Sequence, residues 1–166
     1  MSLTELSHIL YFSDGVTEES RGLRAAPSAG AIYPVEVYPV INEIQDLKRG
    51  IYHYLPVPHE MDLIVEGDFR QQMEHASFGQ SMLARANIVI VLSSIFKRIQ
   101  SRYRERAQRY ICLEAGHIAQ NIYLTATSMG LGTCAIGAFS DEAVNRLLGL
   151  DGSDESALYL IATGRI

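Results

Sequence analysis

The feature that most constrains the fold is a run at residues 87–95 that is rich in β-branched side chains and apolar on both faces. A strand of this composition is typical of the middle of a sheet. Further strands are predicted at residues 35–42, 51–55 and 157–163, where β-branched and aromatic residues concentrate. The chain is therefore expected to build its fold around a sheet with residues 87–95 at its centre.

Proline positions add two expectations about these strands. Pro39 lies inside the strand at residues 35–42 and cannot donate to a strand ladder, so this strand is predicted to lie at an edge or to contain a bulge. Pro56 and Pro58 indicate that a loop follows the strand at residues 51–55.

Helices are predicted where apolar residues recur at steps of three and four. The longest has this spacing from Ile111 to Met129. The other predicted helices begin at capping residues, with a capping box at Ser2 and Glu5 before the stop at Gly15, Asp68 before residues 69–75, and Ser140 before the stop at Gly149. Helices and strands interleave irregularly, which predicts the α+β class with one pair of layers rather than a βαβ arrangement.

Composition limits the classes of function. The 166 residues, 48% hydrophobic and 20% charged, fit a single domain over residues 1–166. No apolar run has membrane-spanning length and no signal-peptide pattern begins the chain, so we expect a cytoplasmic protein without a membrane partner. The net charge of −5 argues against a nucleic-acid partner. Cys112 and Cys134 match neither a disulfide framework nor a metal-binding spacing.

A glycine-containing stretch at residues 126–139 follows the long helix. Gly130 can take the left-handed position that ends a helix, and Gly132 and Gly137 would let another molecule approach the main chain closely. A flat ring could lie against this segment and accept hydrogen bonds from its N–H groups. The alternative interpretation is a helix cap followed by a buried strand, and the stretch alone leaves both open.

The familiar catalytic and metal-binding motifs are incomplete or missing. Glu114 and His117 form one E-x-x-H, but a di-iron site needs a second and two further glutamates, so no metal is expected. His53 and His59 have no third ligand in a zinc pattern. Ser28 does not lie in a G-x-S-x-G motif, and neither a P-loop nor a Rossmann fingerprint is present.

A basic segment precedes the long helix. It contains one acid, Glu105, and six basic residues: Lys97, Arg98, Arg102, Arg104, Arg106 and Arg109. Two interpretations remain, a solvated helix face or a group that holds a phosphate, for which guanidinium groups are well shaped.

Several motifs stand in a recognisable order over nearly the whole chain. They are residues 24–38 (RAAPSAGAIYPVEVY), 50–54 (GIYHY) with His59, 109–110 (RY), 113–121 (LEAGHIAQN), 130–132 (GLG) with Phe139, 147–152 (LLGLDG) and 158–164 (LYLIATG). In these motifs the sequence resembles the nitroreductase-like flavoproteins, specifically the SagB-type (thiazole-forming oxidase) dehydrogenase branch.

The resemblance implies an FMN-dependent oxidoreductase with a mostly antiparallel central sheet flanked by helices. It also implies a homodimer with the flavin at the subunit interface, reduced by NAD(P)H and reoxidised by a small-molecule acceptor. Two loops are implied to bind the flavin, one beside the ring and one sending N–H groups to its N5 and O4 edge. The residues are Pro27, Ser28, Ala29 and Gly30 for the first loop, and Gly132, Ile136, Gly137 and Ala138 for the second.

The chain departs from the family pattern in two ways. The family usually begins with an arginine- and serine-rich segment that holds the FMN phosphate, and this chain starts at the helix that normally follows. Either the chain is a fragment or minimal form, or other arginines hold the phosphate. Arg24 is the first candidate, because it precedes the Pro-Ser segment; Arg21 and the basic segment are the others.

The second departure concerns catalysis. Azoline-oxidising members carry a Lys-Tyr pair where this chain has Arg102 and Tyr103. Arginine does not release its proton, so it cannot replace lysine as a base, and Tyr103 is the remaining catalytic candidate. The alternatives to a general flavin reductase are an azoline-type dehydrogenase of peptide modification and a non-catalytic flavin-binding dimerisation domain.

Overall fold

A six-stranded antiparallel sheet organises the chain in a computed structural model that describes residues 1–165. The strand order is β5-β4-β3-β6-β8-β7, and β1 and β2 form a separate two-stranded ribbon. The strands are β1 Val16–Glu18, β2 Leu23–Arg24, β3 Val35–Ile41, β4 Gly50–Leu55, β5 Glu60–Glu66, β6 Ile88–Ile95, β7 Gly132–Ile136 and β8 Glu155–Gly164. The predicted central strand is confirmed, because β6 lies between β3 and β8.

The edge position predicted for the strand with Pro39 is wrong, because β3 is internal, between β4 and β6. The ladder shows why a proline is tolerated there. The N–H of Asn42 donates to the Asn87 carbonyl on the β6 side, and alternation along a strand turns the Pro39 nitrogen toward β4. Pairing with β4 is limited to Val40 and Ile41 and stops at Pro39, which has no N–H to donate, whereas pairing with β6 covers Val35 to Ile41.

Helices cover both faces of the sheet, so the prediction of a single pair of layers is wrong. The helices are α1 Leu3–Asp14, α2 Arg70–Ala76, α3 Met82–Arg85, α4 Phe96–Tyr103, α5 Ala107–Ser128 and α6 Asp141–Leu148. One core joins α1 and α5 to one face, and a second joins α2, α3 and α6 to the other. Successive residues of β6 alternate between the two cores, which is why that strand is apolar on both faces.

The predicted ends of α1 and α6 are confirmed, but the predicted cap at Asp68 is wrong, because Phe69 holds the N-cap position of α2 and no side chain caps that helix. The Ser2 hydroxyl accepts the Glu5 N–H at 3.2 Å, and the Glu5 carboxylate accepts the Ser2 N–H at 2.6 Å. Gly15 follows the last residue of α1. Ser140 caps α6 and Gly149 ends it in the left-handed conformation with φ of 74°. Among the helices of residues 1–165, none has the length and apolarity that crossing a bilayer requires.

The sequence predicted a loop after β4. In the structure this loop ends at His59. Beyond it, β5 runs along β4 as an exposed edge strand. His59 has a positive φ of 54° in the turn, and its ring is held at 2.8 Å by both Ser7 Oγ and Tyr54 Oη. The helix α3 was also not predicted.

Candidate functional site

Two loops lie at the same end of the sheet. The Pro-Ser loop (residues 27–33) leads into β3, and the Gly137 loop (residues 137–139) follows β7. Because β3 and β7 run in opposite directions, the start of β3 and the end of β7 lie at the same end of the sheet. They are three strand positions apart, about 14 Å across the sheet.

The Pro-Ser loop has a strained backbone. Gly30, Ala31 and Tyr33 all have positive φ, of 63°, 53° and 53°. Only glycine adopts this region freely, so Ala31 and Tyr33 each cost about 1–3 kcal/mol. Strain of this kind persists only where the surroundings impose it, and it concentrates at functional sites.

Hydrogen bonds within the loop impose this conformation. The Ser28 hydroxyl accepts the Tyr33 N–H at 2.9 Å, and the Ser28 carbonyl accepts the Ala31 N–H at 3.1 Å. From α4, the Arg98 guanidinium donates to the Tyr33 carbonyl at 3.1 Å. Ser28 is thus a support inside the loop, consistent with the absence of a nucleophile motif around it.

The long helix α5 holds the loop through the two residues of the E-x-x-H motif. His117 Nδ1 donates to the Pro27 carbonyl at 3.1 Å, so this nitrogen carries a proton. Glu114 is buried, and its carboxylate accepts the N–H of Val35 at 3.4 Å. Burial raises the pKa of Glu114, and the hydrogen bond from the Val35 N–H opposes that rise. The motif that raised the question of a metal instead supports the loop.

Arg24 is held by a buried partner that the sequence did not reveal. Its guanidinium donates to Asp14 at 2.7 Å and lies 4.6 Å from the centre of the Tyr33 ring. The Asp14 side chain is 1% exposed and that of Arg24 is 16% exposed. Burial raises the pKa of Asp14 to about 7, although the Arg24 charge opposes the rise. The predicted role of Arg24 at a phosphate stays a prediction, since its known contacts are inside the protein.

A second acid missed by the sequence analysis supports the start of β3. Glu36 is bound by His53 Nε2 at 2.6 Å and by the Arg98 guanidinium. Burial acts to raise the pKa of Glu36, but these two partners hold it below its ordinary value. The ring of His53 also stacks on Tyr38 with centroids 4.7 Å apart. His53 is therefore a partner of a carboxylate.

Arg102 and Tyr103 lie directly over Gly30. A Cβ at Gly30 would come within 2.7 Å of Tyr103 Oη and 2.9 Å of an Arg102 guanidinium nitrogen. The Tyr103 ring packs edge-on against Tyr110, with centroids 4.7 Å apart. The structure therefore brings the candidate catalytic tyrosine together with the Pro27, Ser28, Ala29 and Gly30 segment.

The glycine stretch after α5 forms a helix cap and then a strand. Gly130 is left-handed with φ of 71°, and β7 begins two residues later. That interpretation is confirmed, although β7 is a half-buried edge strand rather than a fully buried one. Gly132 begins β7 and so lies about 13 Å from Ile136 at its other end. The structure does not bring Gly132 to the Gly137 loop.

The Gly137 loop has two exposed backbone donors that meet no acceptor among residues 1–165. The Ala135 N–H points away from the sheet to Tyr123 Oη at 2.8 Å, so alternation turns the Ile136 N–H toward β8 and the Gly137 N–H outward. Gly137 and Ala138 are exposed, and within residues 1–165 their N–H groups have no acceptor. Space above Gly137 is open, since a Cβ there would meet only Tyr159, 4.0 Å away.

The family model described as "Nitroreductase family" matches residues 1–165. The chain belongs to the nitroreductase family. A nitroreductase-family relative from Methanocaldococcus jannaschii is 39% identical over 165 residues, which are 99% of this chain and 81% of that protein. The microcin B17-processing protein of Escherichia coli is 29% identical over 133 residues, 77% of this chain and 49% of that protein.

Solved structures of nitroreductase-like proteins share the fold. One from Anabaena variabilis has a TM-score of 0.89 and 38% identity, covering 96% of this chain and 34% of that one. An NADPH:FMN oxidoreductase from Vibrio harveyi, solved with NAD⁺, has a TM-score of 0.63 and 19% identity, covering 98% of this chain and 57% of that one. This nitroreductase-family chain thus spans about half of the microcin protein and a third of the Anabaena chain.

Proposed function

We propose that the chain is an FMN-dependent oxidoreductase that takes electrons from NAD(P)H and passes them to a small-molecule acceptor. The observation that carries the proposal is the strained and tethered Pro-Ser loop at the same end of the sheet as the N–H groups of Gly137 and Ala138, which meet no acceptor within residues 1–165. Membership of the nitroreductase family and the shared fold of the Vibrio harveyi NADPH:FMN oxidoreductase support the same class of reaction.

The residues present fit a flavin. In the part of the chain that the structure describes, the N–H groups of Gly137 and Ala138 have no acceptor, and the open space above Gly137 leaves room for a flat ring. Fixed N–H dipoles stabilise negative charge on a reduced ring without reorganisation. FMN itself would supply the hydride chemistry when bound. The roles of the chain are to hold the ring between the two loops and to place the Tyr103 hydroxyl beside Gly30.

Several observations support a homodimer with the flavin at its interface. The outer surface of α1 and α5 exposes large apolar side chains, with Phe12 and Leu113 each 51% exposed and Leu124 62% exposed. This surface adjoins the Pro-Ser loop, because His117 of α5 contacts Pro27. A second copy seated there could complete a site whose two loops are about 14 Å apart in one chain.

Sedimentation with excess FMN tests the dimer. We expect wild-type dimers, and Leu124→Arg should yield monomers because it places a charge in an apolar interface. Leu63→Arg on the exposed strand β5 is the matched control and should remain dimeric. A monomeric wild-type protein would contradict the proposal.

Catalysis is tested on purified, FMN-loaded protein. We expect NADPH or NADH to reduce the bound flavin and a nitroaromatic compound to reoxidise it, with the parallel-line kinetics of alternating half-reactions. Tight FMN binding without reduction by either nicotinamide would instead identify a non-catalytic flavin-binding domain.

A second candidate is azoline oxidation in a modified peptide, favoured by the 29% identity to the microcin B17-processing protein. Arg102 opposes it, because a guanidinium beside Gly30 stays protonated and cannot act as a base. Mass spectrometry of a synthetic thiazoline peptide distinguishes the two. Oxidation to a thiazole by the wild-type protein would favour this candidate, whereas oxidation only by Arg102→Lys would show that Arg102 prevents it.

A further inference from the structure

Basic residues are concentrated in residues 97–109, the segment whose Arg102 lies over Gly30 of the Pro-Ser loop. The chain as a whole carries a net charge of −5, yet residues 97–109 contain six basic side chains and one acid. Two of the six are already paired, Lys97 with Asp154 and Arg98 with Glu36. The other four are exposed and have no carboxylate within 4.0 Å among residues 1–165; they form the arginine patch, Arg102, Arg104, Arg106 and Arg109.

The backbone that displays the patch is strained. Arg104 has φ of 46°, a left-handed conformation that L side chains rarely adopt, and it forms the kink between α4 and α5. A non-glycine residue in this region costs about 1–3 kcal/mol, and such residues cluster at ligand-binding sites. The patch also adjoins the candidate site directly, because the Arg102 guanidinium lies over Gly30.

Arg24, the other candidate for binding a phosphate, is already engaged. Its guanidinium donates to the buried Asp14 and covers the Tyr33 ring. Moving it to a surface anion would leave the Asp14 carboxylate in the interior without its cation, which is strongly unfavourable. Arginines without partners can bind an anion at no such cost.

We propose that the arginine patch binds the phosphate monoester of a nucleotide ligand of the candidate site. Guanidinium groups donate pairs of parallel hydrogen bonds that match phosphate oxygens, and the patch contains only arginine. Two ligands of the proposed function carry such a group, FMN and NADPH. The identity of the ligand that carries the phosphate therefore rests on the proposed function. Phosphate binding by the arginine patch does not depend on that function.

Calorimetric titration with inorganic pyrophosphate tests the patch without any flavin. The combined variant Arg102→Gln, Arg106→Gln and Arg109→Gln should bind pyrophosphate about ten-fold or more weakly than wild type, because charge-assisted bonds are lost. Arg85→Gln is the matched control, since Arg85 is also exposed and has no carboxylate partner within residues 1–165 but lies on α3. Its affinity should not change.

Paired ligands identify the source. A loss of affinity in the combined variant for FMN but not riboflavin assigns the patch to the cofactor phosphate. A loss for NADP⁺ but not NAD⁺ assigns it to the electron donor. Either result supports the proposal. Urea unfolding of the combined variant checks that the three exposed substitutions leave the fold intact. If the combined variant is unfolded, the single variant Arg106→Gln replaces it.

The proposal is overturned if wild type does not bind pyrophosphate, or if the combined variant or its substitute binds it as tightly as wild type. An equal loss in Arg85→Gln would also overturn it, because the effect would then be one of net charge. If pyrophosphate binding depends on the patch but neither FMN nor riboflavin binds, the proposed flavin function fails while the phosphate site stands.

Discussion

The two loops of the candidate site are built in opposite ways. Side chains from three helices restrain the Pro-Ser loop. Asp14 of α1 acts by binding Arg24, Arg98 belongs to α4, and Glu114 and His117 belong to α5. In the Gly137 loop, exposed backbone N–H groups face open space instead of side-chain partners within residues 1–165. Changes in the first loop are therefore expected to alter folding and binding together, and changes in the second to alter binding alone. The four variants below test this difference in order of decreasing effect on the free energy of unfolding.

Arg24→Ala should have the largest effect. Removing the partner of a buried carboxylate costs about 3–5 kcal/mol, and we expect about 3 kcal/mol at pH 8 by urea unfolding. Loss of affinity for FMN and riboflavin alike would follow from a disordered Pro-Ser loop. A selective loss for FMN without destabilisation would instead show that Arg24 contacts the phosphate.

The same variant has a pH dependence set by Asp14. Its pKa is raised from 3.8 to about 7, so the folded protein binds this proton more tightly than the unfolded chain does. The contribution of Asp14 to stability is therefore present below about pH 4 and is lost as the pH rises through 7. At pH 5 Asp14 is neutral, and the destabilisation by Arg24→Ala should be smaller than at pH 8. A larger loss at pH 5 would contradict the raised pKa.

Gly30→Ala should cost about 2 kcal/mol. Part of the loss is the left-handed backbone, about 1 kcal/mol, and the rest is the overlap of a new Cβ with Tyr103 Oη. Gly22→Ala is the matched control, because Gly22 has φ of 64° and nothing within 4 Å of its Cβ position. Equal losses in the two variants would show that Tyr103 moves aside freely.

Ser28→Ala should cost about 1 kcal/mol, since the Tyr33 N–H loses its acceptor. Urea unfolding measures the change. Ser101→Ala serves as the control, because its hydroxyl makes only an exposed contact of 3.4 Å. If Ser28→Ala unfolded like wild type, the loop would not depend on this support.

Gly137→Leu should change the free energy of unfolding by less than about 0.5 kcal/mol, because the position is exposed and open. We nevertheless expect FMN affinity to fall about ten-fold or more, because a branched side chain would occupy the space proposed for the ring. Flavin titration measures this. Unchanged affinity would mean that the Gly137 loop does not contact the flavin.

The sequence predicted features that depend on close neighbours. The capping box at Ser2, the left-handed Gly130, the helix end at Gly149 and the central strand all follow from local spacing and composition. The edge strand β5 was missed because Pro56 and Pro58 indicated a loop in the segment that precedes it, and none of its residues is buried. Pro39 misled because its missing N–H only shortens the ladder to β4, while β3 keeps a full ladder to β6, a distant segment that no local pattern reveals.

The site was predicted less completely than the fold. The Pro-Ser and Gly137 segments were found through resemblance to a family, whereas Asp14 and Glu36 were not found at all. Asp14 meets Arg24 only because the ribbon of β1 and β2 folds back on the end of α1, a tertiary contact with no sequence motif. Glu114 and His117 were noticed from their spacing, but that spacing is equally suited to supporting a neighbouring loop.

The position of β6 has a consequence for the order of folding. It pairs with β3 and β8, which precede and follow it by long stretches of chain, as in Val35 with Ser94 and Ile88 with Thr163. Closing such loops costs entropy before any pairing is gained, so this step should be slow, while the β4–β5 hairpin can form early. Both loops of the site are positioned only through that late pairing. Partly folded chains should therefore retain hairpin structure but lack the candidate site.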